Sequence, residues 1–209
     1  MDIKKHLYYN SAVAKLCGKN GIIKAVMLNY IYNYNRHKPK EGPGSPARIS
    51  LAEITYQYRV TDDEGLWERS TIHETLQSLK KDGHLKAEKD KHGIVYTVSP
   101  KIAALIESDD AEIVMFNLVV AYVKGVHVAI VSQFLLHAID NSPNGIAYNL
   151  SVKEMAEVNR LSPAQIYRAI ESMIEDGVIE RAKCPSKQKR SSRKLCLTRC
   201  KESEVGEKV

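Results

Sequence analysis

At 209 residues the chain suits one large domain or two small ones. With 44% hydrophobic and 27% charged residues it is not a disordered composition, and a net charge of +6 permits an anionic partner without requiring one. The opening MDIKKHLYYNSAV lacks the apolar core of a signal peptide. The four cysteines, Cys17, Cys184, Cys196 and Cys200, form no C-x-x-C pair and read as reduced thiols of a cytosolic protein.

Taken in chain order, the first strong pattern is NGIIKAVMLNYI, residues 20–31, with apolar residues at three- and four-residue spacing: a core-facing helix. A Pro/Gly-rich turn, KPKEGPGSP, follows. Then comes SLAEI, a Ser-x-x-Glu capping box. There the serine hydroxyl accepts the N–H three residues on, and the glutamate reaches back to the serine N–H. A helix over STIHETLQSLKKDG stops at Asp82-Gly83, because glycine takes a left-handed cap at little cost. HLKAEKDKHGIVYTVS reads as a hairpin turning at Lys91-His92-Gly93, and PKIAALIESDDAE as a connecting helix with an acidic linker. The apolar run from Ile113 to Leu136 is broken by Lys124, Gly125 and His127 and is too short on either side to span a bilayer, so it reads as two buried helices.

The remainder repeats the beginning. KGVHVAIVSQFLL matches the first helix, with Gly125 at Gly21, Ala129 at Ala25 and Ile130 at Val26. SVKEM matches SLAEI, and AQIYRAIESMIEDG matches STIHETLQSLKKDG through Ile166, Ile170, Met173 and Asp176-Gly177. The second hairpin, VIERAKCPSKQKRSSRKLCLT, has a long basic tip. The copies differ in the loop before the box and in the turn between the short helices, which carries about seven more residues in the first copy, around TDDEGLW. The expected division is a first domain over 1–99, a linker helix over 100–112, a second domain over 113–201 and a disordered tail over 202–209. The expected fold is mostly α with small β-hairpin wings, an α+β class.

Helix, loop, short helix, turn, second short helix, glycine stop and hairpin, twice over, resembles the winged helix-turn-helix superfamily, in which the second short helix enters the DNA major groove. Ser70-Thr71-Ile72 through Leu79 and Gly83 is similar to the winged helices of phage and plasmid replication-initiation proteins. MarR- and GntR-like regulators are the next nearest likeness. The resemblance implies two tandem winged-helix domains, double-stranded DNA as partner, and a replication or transcription protein as a possible further one.

Base edges give specificity and phosphates give affinity. On the first recognition helix Ser70, Thr71, His73 and Gln77 are expected to face the bases, with Lys80 and Lys81 at its end on phosphate. On the second, Gln165, Tyr167, Arg168 and Ser172 face outward. Arg168 suits guanine and Gln165 suits adenine. Ser162-Pro163-Ala164-Gln165 is a strong helix start, whereas Glu68 at the equivalent place is a poor cap. The second wing carries Arg181, Lys183, Lys187, Lys189, Arg190, Arg193, Lys194 and Arg199 in a stretch without acids, the strongest phosphate-binding signal. Lys91 of the first wing is diluted by Glu88 and Asp90.

Enzyme motifs are missing. Gly18-Lys19-Asn20 lacks the phosphate-loop spacing, and the seven histidines form no H-x-H or H-E-x-x-H. The expectation is therefore a cytoplasmic, nucleoid-associated DNA-binding protein with no catalytic residue, metal, cofactor or membrane partner. It reads two half-sites as a replication initiator or transcriptional regulator of a mobile element. The alternative is a protein-interaction scaffold.

Overall fold

A computed structural model describes residues 6–37, 49–61, 63–90, 93–183 and 194–200. Its helices alternate with small antiparallel sheets, an α+β architecture. The chain divides into two compact units, Met1–Val123 and Lys124–Val209.

The first unit opens with strand β1 (His6–Asn10), α1 (Ser11–Cys17) and α2 (Gly21–His37). α2 is its central helix: Ala25, Val26, Met27, Leu28 and Ile31 are all buried. It lies so close to α1 that a Cβ on Gly21 would stand 2.1 Å from the Ala14 carbonyl oxygen, and only glycine fits there. α3 (Leu51–Gln57) starts at the expected capping box, with both the Ser50 and Glu53 bonds made. α4 (Arg69–Lys81) buries Ile72, Thr75, Leu76 and Leu79. It stops as its Asp-Gly predicts. Gly83 has φ +71°, and the N–H groups of Gly83 and His84 bond the carbonyls of Lys80 and Leu79. β2 (Leu85–Asp90) and β3 (Gly93–Val98) form the hairpin. The Ile49 N–H bonds the Ile94 carbonyl of β3, so the chain touches the hairpin edge just before α3.

α5 (Pro100–Glu107) packs on α1 and α2 with Ile102 fully buried, so residues 100–107 belong to the core of this unit rather than to a linker. The next segment departs further from expectation. Ile113–Asn117 is not helical but a strand, β4, followed by α6 (Leu118–Lys124). β4 pairs antiparallel with β1: Leu7 opposite Phe116, Tyr8 opposite Met115, Tyr9 opposite Val114. Leu7, Tyr9, Val114 and Phe116 fill the buried face, while Tyr8 and Met115 stand outward at 44% exposure each. The division therefore falls after Val123, not before Ile113, because the strand pairing ties 113–117 to the start of the chain.

The second unit runs α7 (Val126–Asp140), β5 (Ile146–Ser151), α8 (Val152–Asn159), α9 (Pro163–Glu175), β6 (Ile179–Arg181) and β7 (Lys194–Arg199). α7 buries Val128, Ala129, Ile130, Val131, Leu135 and Ile139 and packs on α9. Its sheet has the order β5-β7-β6, so the strand before α8 joins the edge of the later hairpin. Ser151 caps α8 through the Glu154 N–H, but the return bond of a full box is not made. Ser151 is also the last residue of β5, register-paired with Lys194. The second Asp-Gly stop repeats the first, with Gly177 at φ +66° and the Val178 N–H on the Met173 carbonyl.

Among the described residues no helix is long and apolar enough to cross a membrane. Cys17 and Cys200 are free thiols, whereas Cys196 is disulfide-bonded, contrary to the expectation of four reduced cysteines.

Candidate nucleic-acid interface

α8 and α9 are joined by residues 160–162 alone. Arg160 ends α8 in the left-handed region at φ +54°, Leu161 turns inward, and Ser162 caps α9. The connection is three residues long, the length expected of a helix-turn-helix turn. α9 is held by its buried Ile166, Ala169, Ile170 and Met173, which leaves Tyr167 (40% exposed) and Arg168 on the solvent side and Ser172 half-buried. The Arg168 Nε donates to the Ala164 carbonyl at 3.3 Å, which lays the side chain back along its own helix. His127, on α7, lies within reach of the Arg168 charge. Burial lowers the His127 pKa, and that charge lowers it further.

Gln165 is placed differently from its expected role. Its side-chain oxygen accepts the Ser162 N–H at 2.8 Å, while the Ser162 hydroxyl accepts the Gln165 N–H at 3.3 Å. A bidentate contact with adenine would need that oxygen, which here is engaged at the start of the helix.

In the first unit residues 58–68 stand where the second has 160–162. The extra length folds on itself, with Val60 and Thr61 N–H groups on the Glu64 carbonyl and the Leu66 N–H on the Tyr58 carbonyl. Tyr58 anchors it, fully buried edge-on to Trp67 at 5.0 Å and to Tyr30 at 6.1 Å. Burial pushes its phenol well above the ordinary range. Tyr122 of α6 donates to Glu64, so the enlarged turn is also tied to α6.

α4 starts without a side-chain cap at Glu68, as its sequence suggests. Ser70 does not substitute for one; its hydroxyl donates to the Glu68 carboxylate at 3.2 Å. Ser70, His73, Gln77, Lys80 and Lys81 are exposed and Thr71 is half-buried. Arg69, not foreseen as a site residue, is exposed in the first turn beside them. Its place follows only once Glu68 is known to be the cap.

Each second short helix is fastened at its C-cap aspartate by a lysine. Lys24 of α2, only 7% exposed, bonds Asp82 at 2.8 Å, and Lys124 bonds Asp176 at 2.8 Å. Lys24 and Lys124 do not align in the repeat, so the same fastening is reached from two positions. The Lys24 ammonium holds the Asp82 carboxyl below its ordinary pKa. The adjacent Cys17 thiol is pushed up to about 11 by burial, against the opposing charge of Lys24.

The basic stretch is thinner than its sequence implies. Arg181 is paired with Glu171 of α9, and Arg199 grips Asp140 of α7 through two nitrogens at 2.9 and 2.7 Å. Lys183 is exposed and Lys194 begins β7. Lys187, Lys189, Arg190 and Arg193, and Lys91 of the first hairpin, lie outside the described residues.

A cavity of about 50 Å³ lies among His6, Leu7, Tyr8, Val26, Asn29, Tyr30, Gln57 and Tyr58, where Asn29 Oδ1 and Tyr58 OH are buried without a protein partner. It suits a few water molecules and is far below the size of an organic-ligand pocket.

No family model matches the chain, and no curated protein does either. Among solved structures, one described as a conserved hypothetical protein from Chlorobium tepidum aligns over 82% of this chain and 91% of its own, at 14% identity. The TM-score is 0.19, a likeness too slight to bear on fold or function.

Proposed function

We propose that the chain is a sequence-specific double-stranded DNA-binding protein built of two tandem winged helix-turn-helix units, acting as a replication initiator or transcriptional regulator of a mobile element. The observation that carries this reading is the second unit. A capped helix, α9, presents Tyr167 and Arg168 after a three-residue turn, beside a sheet in which β5 joins the β6–β7 hairpin. That hairpin's connection carries Lys187, Lys189, Arg190 and Arg193. The strand order β5-β7-β6, in which the strand before α8 joins the later hairpin, supports this reading for the second unit; in the first the hairpin is two-stranded and is met before α3 by the Ile49 N–H on the Ile94 carbonyl.

Arg168 is the base-reading residue of this proposal. The basic hairpin connection supplies phosphate contacts, which release counterions and make affinity fall steeply with salt. The test is a titration of labelled duplex fragments at rising salt. A linear fall of log affinity with log salt is expected, and a flat response would sink the DNA reading.

The first unit admits a second reading, as a protein-docking module. Its enlarged turn replaces the short one, its hairpin mixes Lys86 and Lys89 with Glu88, and Glu74 stands exposed on α4. A pull-down by the first unit's surface that survives α4 lysine-to-alanine changes would favour it.

A further inference from the structure

The small cavity of the first unit is lined from β1, α2 and the end of α3, where the enlarged turn departs. Two of its lining side chains are withdrawn from solvent: Asn29 is 2% exposed and Tyr58 is fully buried. Asn29 Oδ1 and the Tyr58 hydroxyl nevertheless have no protein partner. Buried polar atoms are almost always satisfied, so two orphans in one cavity call for an occupant that faces their lone pairs.

The surroundings narrow its chemistry. The Asn33 amide is spent on the Asn29 carbonyl at 2.9 Å and on the Tyr8 hydroxyl at 3.2 Å, so it serves neither orphan. Tyr8 and Tyr30 bring two further phenols to the wall. No carboxylate is among the lining residues, and no cluster of His, Cys, Asp and Glu able to hold a metal occurs among the described residues. Calcium and magnesium take carboxylates, whereas uncharged oxygens and aromatic walls suit a single positive charge. An anion would meet the Asn29 lone pairs. The volume of about 50 Å³ is several times the roughly 10–15 Å³ that admits one water, and leaves room for an ion with part of its hydration.

We infer that this cavity binds a monovalent cation of potassium or ammonium size, held by Asn29 Oδ1 and the Tyr58 oxygen, with water completing its shell. The site goes beyond the DNA reading and does not depend on it. Its effect falls on the enlarged turn. The Tyr58 carbonyl accepts the Leu66 N–H, and the Tyr58 ring stands edge-on to Trp67 at 5.0 Å. An ion that fixes the Tyr58 hydroxyl therefore steadies Leu66 and Trp67 as well.

Trp67 is the chain's one tryptophan, so its emission reports on Tyr58. The experiment titrates potassium chloride or ammonium chloride into the full chain, with ionic strength held constant by tetramethylammonium chloride, whose cation is too large for the cavity. Potassium and ammonium are expected to give a saturable change in Trp67 emission and a raised thermal midpoint, and tetramethylammonium neither. Tyr58→Phe keeps the ring and removes the oxygen, and should weaken the apparent cation affinity at least tenfold. Asn29→Asp adds a charge at the same place and should tighten it, a readout that stands if Tyr58→Phe does not fold. Emission and midpoint that follow ionic strength alone, or a cation response unchanged in both variants, would overturn the site and leave water as the occupant. The salt dependence of duplex binding is measured separately, so this failure leaves the DNA reading where it was.

Discussion

Gln165 and Arg168 stand one turn apart on α9 and do different work. Gln165 closes the capping box, so Gln165→Ala is expected to cost about 0.5–1 kcal/mol of stability and leave the selected DNA sequence unchanged. Arg168→Ala is expected to spare the thermal midpoint and relax preference at one base position. An even loss of affinity across all sequences would remove its base-reading role. His127 adds a pH dependence. Its folded pKa is lowered by burial and by Arg168, so the folded state favours the neutral ring. That contribution is present above the ordinary value of 6.5 and is lost as pH falls through the lowered folded value. Asp82 and Asp140, also lowered, weaken the fold further into acid. Thermal midpoints across pH should therefore drop below neutrality, and His127→Gln should flatten the upper part of that drop.

At the scale of elements, the contact between α1 and α2 is the least forgiving. Gly21→Ala drives a methyl into the Ala14 carbonyl, a backbone atom that cannot rotate away. Denaturant unfolding should show a loss of at least about 2 kcal/mol. Gly125, its counterpart in the repeat, is needed for another reason, a φ of +96°. The long helices were legible because α2, α4, α7 and α9 repeat an apolar period and end in their own signals, such as Asp-Gly. The strands β1 and β4 were not. Each has five residues and runs directly into a short helix, and their pairing spans Leu7 to Phe116, which no local rule connects. The candidate interface shows the same limit. Glu171 and Asp140, which neutralise Arg181 and Arg199, lie outside the acid-free stretch and reach it only through folding. A glutamine in the third position of a helix is at once a cap partner and a candidate reader, and its bond to Ser162 is seen only in the fold.

At the scale of the molecule, the net charge of +6 is unevenly placed, and the basic hairpin connection accounts for much of it. Replacing Lys187, Lys189, Arg190, Arg193 and Lys194 with alanine should weaken binding to all duplexes alike and reduce the salt slope by up to about 4.5. Arg199→Ala should lower thermal stability instead and leave that slope nearly unchanged, since its charge is already spent on Asp140. The β1–β4 pairing also sets an order of assembly. A strand from the first ten residues waits for one that the ribosome makes more than a hundred residues later. Closing so long a loop costs entropy that local helix formation does not. During synthesis α2, α4 and the first hairpin can collect first, while the apolar side of β1 stays without its strand partner. The newly made first copy is thus exposed to pairing with β1 of a neighbouring chain until residue 117 emerges, and folding at high concentration should divert some chains into exchanged dimers.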